Sequence, residues 1–370
     1  MPLDTARTRS FVDAMWQDAC LPALVDFIRI PNKSPAFDPD WAAHGHMERA
    51  TGLVEGWCRA HALPGWTVQV VRLPGRTPVV VVGVPATTAA ADEDDPVVLY
   101  GHLDKQPEMT GWAEGLGPCT PVLRGERLFG RGGADDGYAA FAAVTALRAM
   151  ADQGVPHRRC TILIEACEES GSPDLPHYVE HLQGALGRPS LVVCLDSGCG
   201  DYERLWCTTS LRGIVLGTLS VDILREGVHS GDAGGVVPSS FRLLRHLLSR
   251  IEDPATGEVL LREMHVEIPP ARAAQARHAA DVLGAAQHVR FPWVEGAGPG
   301  TDDVAELILS RTWRPSVAVT GAAGLPALAD AGNVLRPGTA VQLSIRVPPT
   351  CDAQRAAAAR VETLQRDPPH

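Results

Sequence analysis

Apolar residues recur at helical spacing from Thr5 to about Ile30, where the breaker Pro31-Asn32 ends the run. A second helix is predicted over Met47–His61, stopped by Leu63-Pro64-Gly65. Valine-rich stretches at Thr67–Leu73, Pro78–Val84 and Pro96–Tyr100 predict strands separated by proline, glycine or acidic loops. The acidic stretch Asp92–Asp95 reads as a solvated loop. Gly137–Gln153 is alanine-rich and helical, and Gly154 closes it. Cys160–Ala166 and Ser190–Leu195 are unbroken apolar runs of strand length. Such runs, alternating with helices, predict an α/β domain around a buried, mostly parallel sheet with flanking helices.

Near Leu211 the pattern changes. Gly213–Asp222 predicts a strand, Ser239–Ile251 and Ala271–His288 helices, Val317–Thr320 and Ala340–Val347 strands, and Cys351–Leu364 a last helix. That order predicts a smaller α+β domain, so the expected division is residues 1–211 and 212–370. No internal repeat is visible.

Composition narrows the function. The 370 residues are 45% apolar and 21% charged, ordinary for globular protein of about two domains. The net charge of −11, with no long basic run, argues against a nucleic-acid or anionic-membrane surface. No apolar stretch approaches the roughly 18 residues of a membrane span, and the start MPLDTARTRS lacks the apolar core of a signal peptide. The nine cysteines are odd in number and form no CxxC pair. They read as buried thiols of a reducing cytoplasm, not as a disulfide frame or a thiolate zinc site.

Four polar clusters stand beside the predicted strands of the first domain. Gly101-His102-Leu103-Asp104 follows one strand; it could supply an imidazole ligand and its orienting carboxylate, or be a turn with a surface acid. Gly130–Gly137 contains Asp135 and Asp136, one of which can point back toward His102; the plain alternative is a glycine loop with an N-capping Asp. A phosphate loop is disfavoured there because the lysine of such loops is missing. Glu168 and Glu169 follow the apolar strand Cys160–Ala166, and Asp196 closes the next; singly, these read as a capping acid pair and a turn.

Taken together they say more. His102, Asp135, Glu169 and Asp196 form an imidazole-and-carboxylate set at successive strand ends, suited to paired hydrolytic metals such as zinc. Glu168, beside one ligand, is placed to be the general base and later the acid for a leaving amine.

The segments GHLDKQP, GRGGADD, EACEESGS and LDSG, with Ile30–Pro35, resemble the M20 family of metallopeptidases. The likeness continues through Val228–Gly231, Gly234-Gly235, Asn333–Leu335 and Ser344–Arg346, and its ligand separations are most similar to the carnosinase and non-specific dipeptidase branch. It implies a zinc-exopeptidase-like catalytic domain with a lid and dimerisation domain, and two zinc ions per site, with Mn2+ or Co2+ as substitutes. His102, Asp135 and Asp196 would hold one metal, while Asp135 would bridge to a second held also by Glu169. Asp104 would support His102, and Glu168 would activate the bridging water. His229 would stabilise the oxyanion across a homodimer interface formed by the lid, and Arg346 and Asn333 would hold the substrate carboxylate and backbone. Read without the likeness, His229 is a histidine in a glycine turn and Arg346 an exposed strand residue. The implied reaction is hydrolysis of an amide bond beside a free carboxylate in a small peptide, of the dipeptidase or carboxypeptidase type. An N-acyl-amino-acid deacylase and a non-catalytic product that keeps only the lid's dimerisation are the alternatives.

Two departures accompany the resemblance. The lysine usual after the Asp pair is replaced by Gly137-Tyr138. The family's catalytic domain also resumes after the lid and brings a late histidine, whereas this sequence ends just after the last predicted helix, and His370 has no matching motif around it. The expectation is a truncated member with a frayed terminal residue, weak or mononuclear metal binding and much reduced hydrolysis.

Overall fold

A computed structural model describes residues 3–88 and 95–369; Asp92, Glu93 and Asp94 of the expected acidic loop, and His370, lie outside the described residues. The chain divides into two compact units at Gly198/Cys199, where the sequence pattern had put the change near residue 211.

The first unit is built on a five-stranded sheet. Its strands are β1 (Thr67–Val71), β2 (Val79–Val84), β3 (Val97–His102), β6 (Cys160–Glu165) and β7 (Leu191–Cys194), in the order β1-β2-β6-β3-β7. The short hairpin β4 (Val122–Arg124) and β5 (Arg127–Phe129) stands apart. β3 runs parallel to both β6 and β7, while β1 and β2 add an antiparallel wing. Both faces of the sheet are covered, which is why its strands read as unbroken apolar runs. Val80, Val82, Ile162 and Ile164 pack against Phe27, Val54, Phe141 and Val144 of three helices, Leu21–Ile28, His46–His61 and Ala139–Asp152. On the other face Val79, Val81 and Leu163 meet Tyr178, Leu182 and Leu186. Each such fully buried side chain contributes about 1.5–3 kcal/mol of hydrophobic stabilisation.

The predicted first helix is one continuous rod whose middle, Trp16–Cys20, relaxes into a π-helical turn. At the base of the sheet Asp95 accepts hydrogen bonds from Ser190 N and Oγ, at 2.7 and 3.0 Å, and so clasps the starts of β3 and β7.

The second unit holds a three-stranded antiparallel sheet: β8 (Gly213–Asp222), β10 (Ser316–Ala323) and β12 (Gly338–Val347), in the order β10-β12-β8. Val215 and Leu219 of β8, with Val341, Leu343 and Ile345 of β12, pack on the helices Ser240–Leu248 and Ala353–Gln365. The two-stranded ribbon of β9 (Val228–His229) and β11 (Val334–Leu335) is separate. A further helix, Val304–Thr312, lacks a prediction from the sequence; Asp303 caps it, and it packs on helix Pro270–Leu283 through Leu309, Trp313 and Ala276. No helix among the described residues is long and apolar enough to cross a membrane. All nine cysteines are unbridged, but Cys194, Cys199 and Cys207 are exposed, so the reading of buried thiols holds fully only for Cys20, Cys58, Cys160 and Cys167.

Candidate metal centre

The carboxyl ends of β3, β6 and β7 converge, as the crossover geometry of a parallel sheet requires. His102 is the last residue of β3 and its side chain is fully buried. Its Nε2 has no hydrogen-bond partner, yet it faces Asp135 Oδ1 at 3.3 Å, Asp196 Oδ2 at 3.7 Å and Glu168 Oε2 at 3.8 Å. The three carboxylates are partly exposed, so the centre opens to solvent on the side away from the core.

Two groups of candidate ligand atoms, each within 4.8 Å of one another, share the imidazole: His102 with Asp135 and Asp196, and His102 with Glu168 and Glu169. The first is the trio expected for one metal. The second sets Glu169 with Glu168 and His102, where the sequence had paired it with Asp135.

The supporting contacts explain the placement. Asp104 is fully buried, and its two carboxylate oxygens accept the backbone N–H groups of Glu168 and Glu169, each at 3.0 Å. Its Oδ1 lies 3.5 Å from His102 Nδ1, which is 3.1 Å from the Asp104 carbonyl oxygen. One residue thus fixes the imidazole and the turn that carries the two glutamates. Behind that turn, buried Glu165 accepts from Tyr100 Oη and from Ser172 Oγ at 2.9 Å. Gln106 donates to Glu169.

The Asp135 turn begins at Gly132, whose φ of +79° suits glycine; a Cβ there would sit 2.5 Å from the side chain of Lys105. Lys105 is itself 2% exposed, donates to the carbonyls of Phe27 at 2.8 Å and Ile30 at 2.7 Å, and is pushed down to about 7 by burial. The Asp135–Asp136 peptide bond is cis.

Asp136, Gln106 and Glu165 had no role assigned from sequence, although all three stand in or beside the recognised segments. Asp136 is 1% exposed; its Oδ2 accepts from His102 N at 3.3 Å and its Oδ1 has no partner. The sequence left open which of Asp135 and Asp136 turns inward, and the fold identifies Asp136 as the buried one.

The electrostatics call for a cation. Burial pushes Asp136 and Glu169 each up to about 7 and raises Glu168 as well. Asp135 is lowered, chiefly by the His102 imidazole that faces it. Burial opposes a charge on His102, but Asp104, Asp135 and Asp196 outweigh it and hold the imidazole far above its ordinary range. Packing this many acids around one imidazole is costly unless positive charge joins them. The orphaned Nε2, the two ligand groups and the oxygen-rich donors fit a divalent cation.

In the second unit, His229 and Asn333 come together on the β9–β11 ribbon, where His229 pairs with Val334 and Ser230 N donates to the Asn333 carbonyl at 2.9 Å. His229 Nδ1 accepts from Gly231 N at 3.1 Å, and both His229 and Asn333 are exposed. Arg346 is exposed on β12, on a different sheet from that ribbon, and its charge helps depress the half-buried Arg212, after the larger effect of burial. Neither arginine is ion-paired among the described residues.

Fold and centre define an α/β protein with a carboxylate-rich candidate metal site at the ends of parallel strands. The chain belongs to the peptidase family M20/M25/M40, whose sequence profile matches residues 98–337. A cysteinylglycine-S-conjugate dipeptidase of Corynebacterium striatum is 26% identical over 264 residues, covering 70% of this chain and 55% of that protein. A beta-Ala-His dipeptidase of Homo sapiens is 28% identical over 242 residues, 62% of this chain and 45% of the relative. The chain therefore spans about half the length of these curated relatives. Among solved structures, the dipeptidase Dug1p of Saccharomyces cerevisiae superimposes with a TM-score of 0.74 at 19% identity, over 97% of this chain and 75% of that one. Human carnosine dipeptidase 1 gives 0.73 at 19%, over 98% and 77%. At that identity the two structures establish the fold.

Proposed function

We propose that this protein hydrolyses a peptide bond beside a free carboxylate, as a metal-dependent dipeptidase. The observation that carries the reading is the buried, unpartnered Nε2 of His102 ringed by Asp135, Glu168 and Asp196. Family membership and the dipeptidase names of the curated relatives support it.

In this reading His102, Asp135 and Asp196 hold one cation, and Glu169 contributes to a second. Zinc, or manganese or cobalt in its place, would when bound supply Lewis acidity toward the scissile carbonyl and make water nucleophilic at neutral pH. Glu168 takes the proton of the attacking water on its carboxylate and returns it to the leaving amine. Asp104 keeps Glu168 in place through the backbone N–H it accepts. His229 donates to the developing oxyanion, and Arg346 with Asn333 grips the substrate's carboxylate and backbone, a task suited to a guanidinium's parallel donors. The proposed assembly is a homodimer through the second unit, acting in the cytoplasm; sedimentation at micromolar protein tests the dimer.

The purified chain should be assayed with added zinc, manganese or cobalt against dipeptides, N-acetyl amino acids and N-succinyl amino acids. Dipeptide cleavage is expected, with Glu168→Gln abolishing turnover while zinc binding persists. Cleavage of the acyl amino acids alone would replace the dipeptidase by a deacylase. Unchanged turnover in Glu168→Gln would remove Glu168 as the base.

A further inference from the structure

Gly137 and Tyr138 close the turn that carries Asp135. Gly137 is buried, and a Cβ on it would overlap the Gly132 carbonyl oxygen and the Phe27 ring. A side chain therefore has no room there. The next residue caps helix Ala139–Asp152 and bears a phenol that reaches across to the segment after β7: Tyr138 Oη donates to the Leu195 carbonyl at 2.8 Å.

That carbonyl belongs to the residue directly before Asp196. The β3–β7 ladder ends at the pair Tyr100↔Cys194, so Leu195 and Asp196 lie beyond its last rung, in the segment that follows β7, a strand at one edge of the sheet. Asp135 stands three residues before Tyr138 on the same turn. One hydroxyl thus ties the segment carrying Asp135 to the segment carrying Asp196, and both carboxylates face His102 Nε2, at 3.3 and 3.7 Å.

We propose that Tyr138 is a positioning residue, a clasp that holds Asp196 in register with Asp135 and so shapes the His102–Asp135–Asp196 group for a divalent cation. The cation part rests on the metal reading above; the clasp itself rests on geometry alone. Tyr138 touches neither substrate nor metal in this role. It acts through a main-chain carbonyl, as supporting contacts around metal ligands commonly do.

Two measurements on Tyr138→Phe test it, with Tyr178→Phe as the control. Tyr178 is a fully buried tyrosine of the same unit whose hydroxyl donates to the Thr77 carbonyl at 2.6 Å, in the cluster on the other face of the sheet. The first readout is amide exchange of residues 191–198 in zinc-free protein, expected to quicken about fivefold in Tyr138→Phe for one lost hydrogen bond. The second is zinc affinity by competition with a chromophoric chelator, expected to weaken roughly tenfold. Tyr178→Phe should lower the melting temperature and leave both readouts at parental values. Parental exchange at 191–198 in Tyr138→Phe overturns the clasp. So does a Tyr178→Phe variant that loses zinc affinity as Tyr138→Phe does, because the effect is then general loosening. A parent that binds no zinc, with 191–198 still loosened by Tyr138→Phe, overturns the metal reading and leaves the clasp standing.

Discussion

Strand β6 of the first unit is buried at every position, whereas β12 of the second alternates between buried and more open positions along its length. The cause lies in what covers each sheet. Helices and their loops close both faces over β6, so Ile162 and Leu163 are equally enclosed although they point in opposite directions. Only one face of β12 packs on helices; Gln342, Ser344 and Arg346 share the other. The difference decides where chemistry can sit. A sheet sealed on both faces offers polar groups a place only at its strand ends, and there His102, Glu168, Glu169 and Asp196 gather. A sheet open on one face can display a charged side chain in mid-strand, as it does Arg346.

The most severe way to break this contrast is to change the residue that looks outward by simple alternation. Leu163→Ala on β6 should cost about 2–5 kcal/mol, since it empties a closed layer against Tyr178 and Leu182. Ser344→Ala on the open face of β12 should stay within about 0.5 kcal/mol of the parent. Chemical denaturation of the two variants measures both; a Leu163→Ala cost as small as that of Ser344→Ala would mean the second face of β6 is not sealed.

The same contrast governs how much could be read in advance. Both sheets were legible because their signals are strong: unbroken apolar runs for β2 and β6, and a ten-residue strand at Gly213–Asp222 that matches its predicted bounds. The hairpin β4–β5, three residues a side and half exposed, buries too little to leave a pattern. The ligand candidates His102, Asp135, Glu169 and Asp196 were legible as residue types at strand ends. Which of them come within reach of one another was not, since side-chain direction in the turns at 133–137 and 168–170 follows from contacts distant in sequence. Asp104 shows the gap most clearly. Sequence spacing suggests an orienting partner for His102, but only the fold reveals that its carboxylate holds Glu168 and Glu169 by their backbone N–H groups.

Metal addition sharpens the comparison next. A ligand that binds only the folded first unit stabilises it by about 2.7 kcal/mol at a free concentration 100 times its Kd. Zinc should therefore slow amide exchange in β3, β6 and β7 and leave β8 and β12 unchanged, and EDTA should reverse the gain. Equal protection of both sheets would place the cation, or its effect, outside the proposed centre.

A smaller change follows at Asp104. In Asp104→Asn the amide can still accept one backbone N–H, but the charge is gone and its NH2 group now faces a second donor. Zinc affinity should fall about 10–100-fold, as for other supporting residues of metal ligands. The melting temperature of the zinc-free variant should change less than that of Leu163→Ala. An Asp104→Asn protein with parental zinc affinity would show that the glutamate turn holds its shape without the carboxylate.

The least expected effect belongs to the open sheet. Arg346 is exposed, makes no ion pair among the described residues, and lies close enough to Arg212 for their charges to oppose one another. Two like charges within each other's field, Arg212 just before β8 and Arg346 on β12, favour a nearby anion, and the free carboxylate of a small peptide is such an anion. Arg346→Lys keeps the charge but loses the planar pair of donors, so KM should rise about fivefold, near 1 kcal/mol, with kcat and melting temperature unchanged. Arg346→Ala should raise KM further and, by relieving the repulsion, leave the protein no less stable. If Arg346→Ala lowers kcat and spares KM, the guanidinium acts on the reacting bond instead of holding the carboxylate. In that event the proposed division between catalysis at strand ends and recognition in mid-strand gives way.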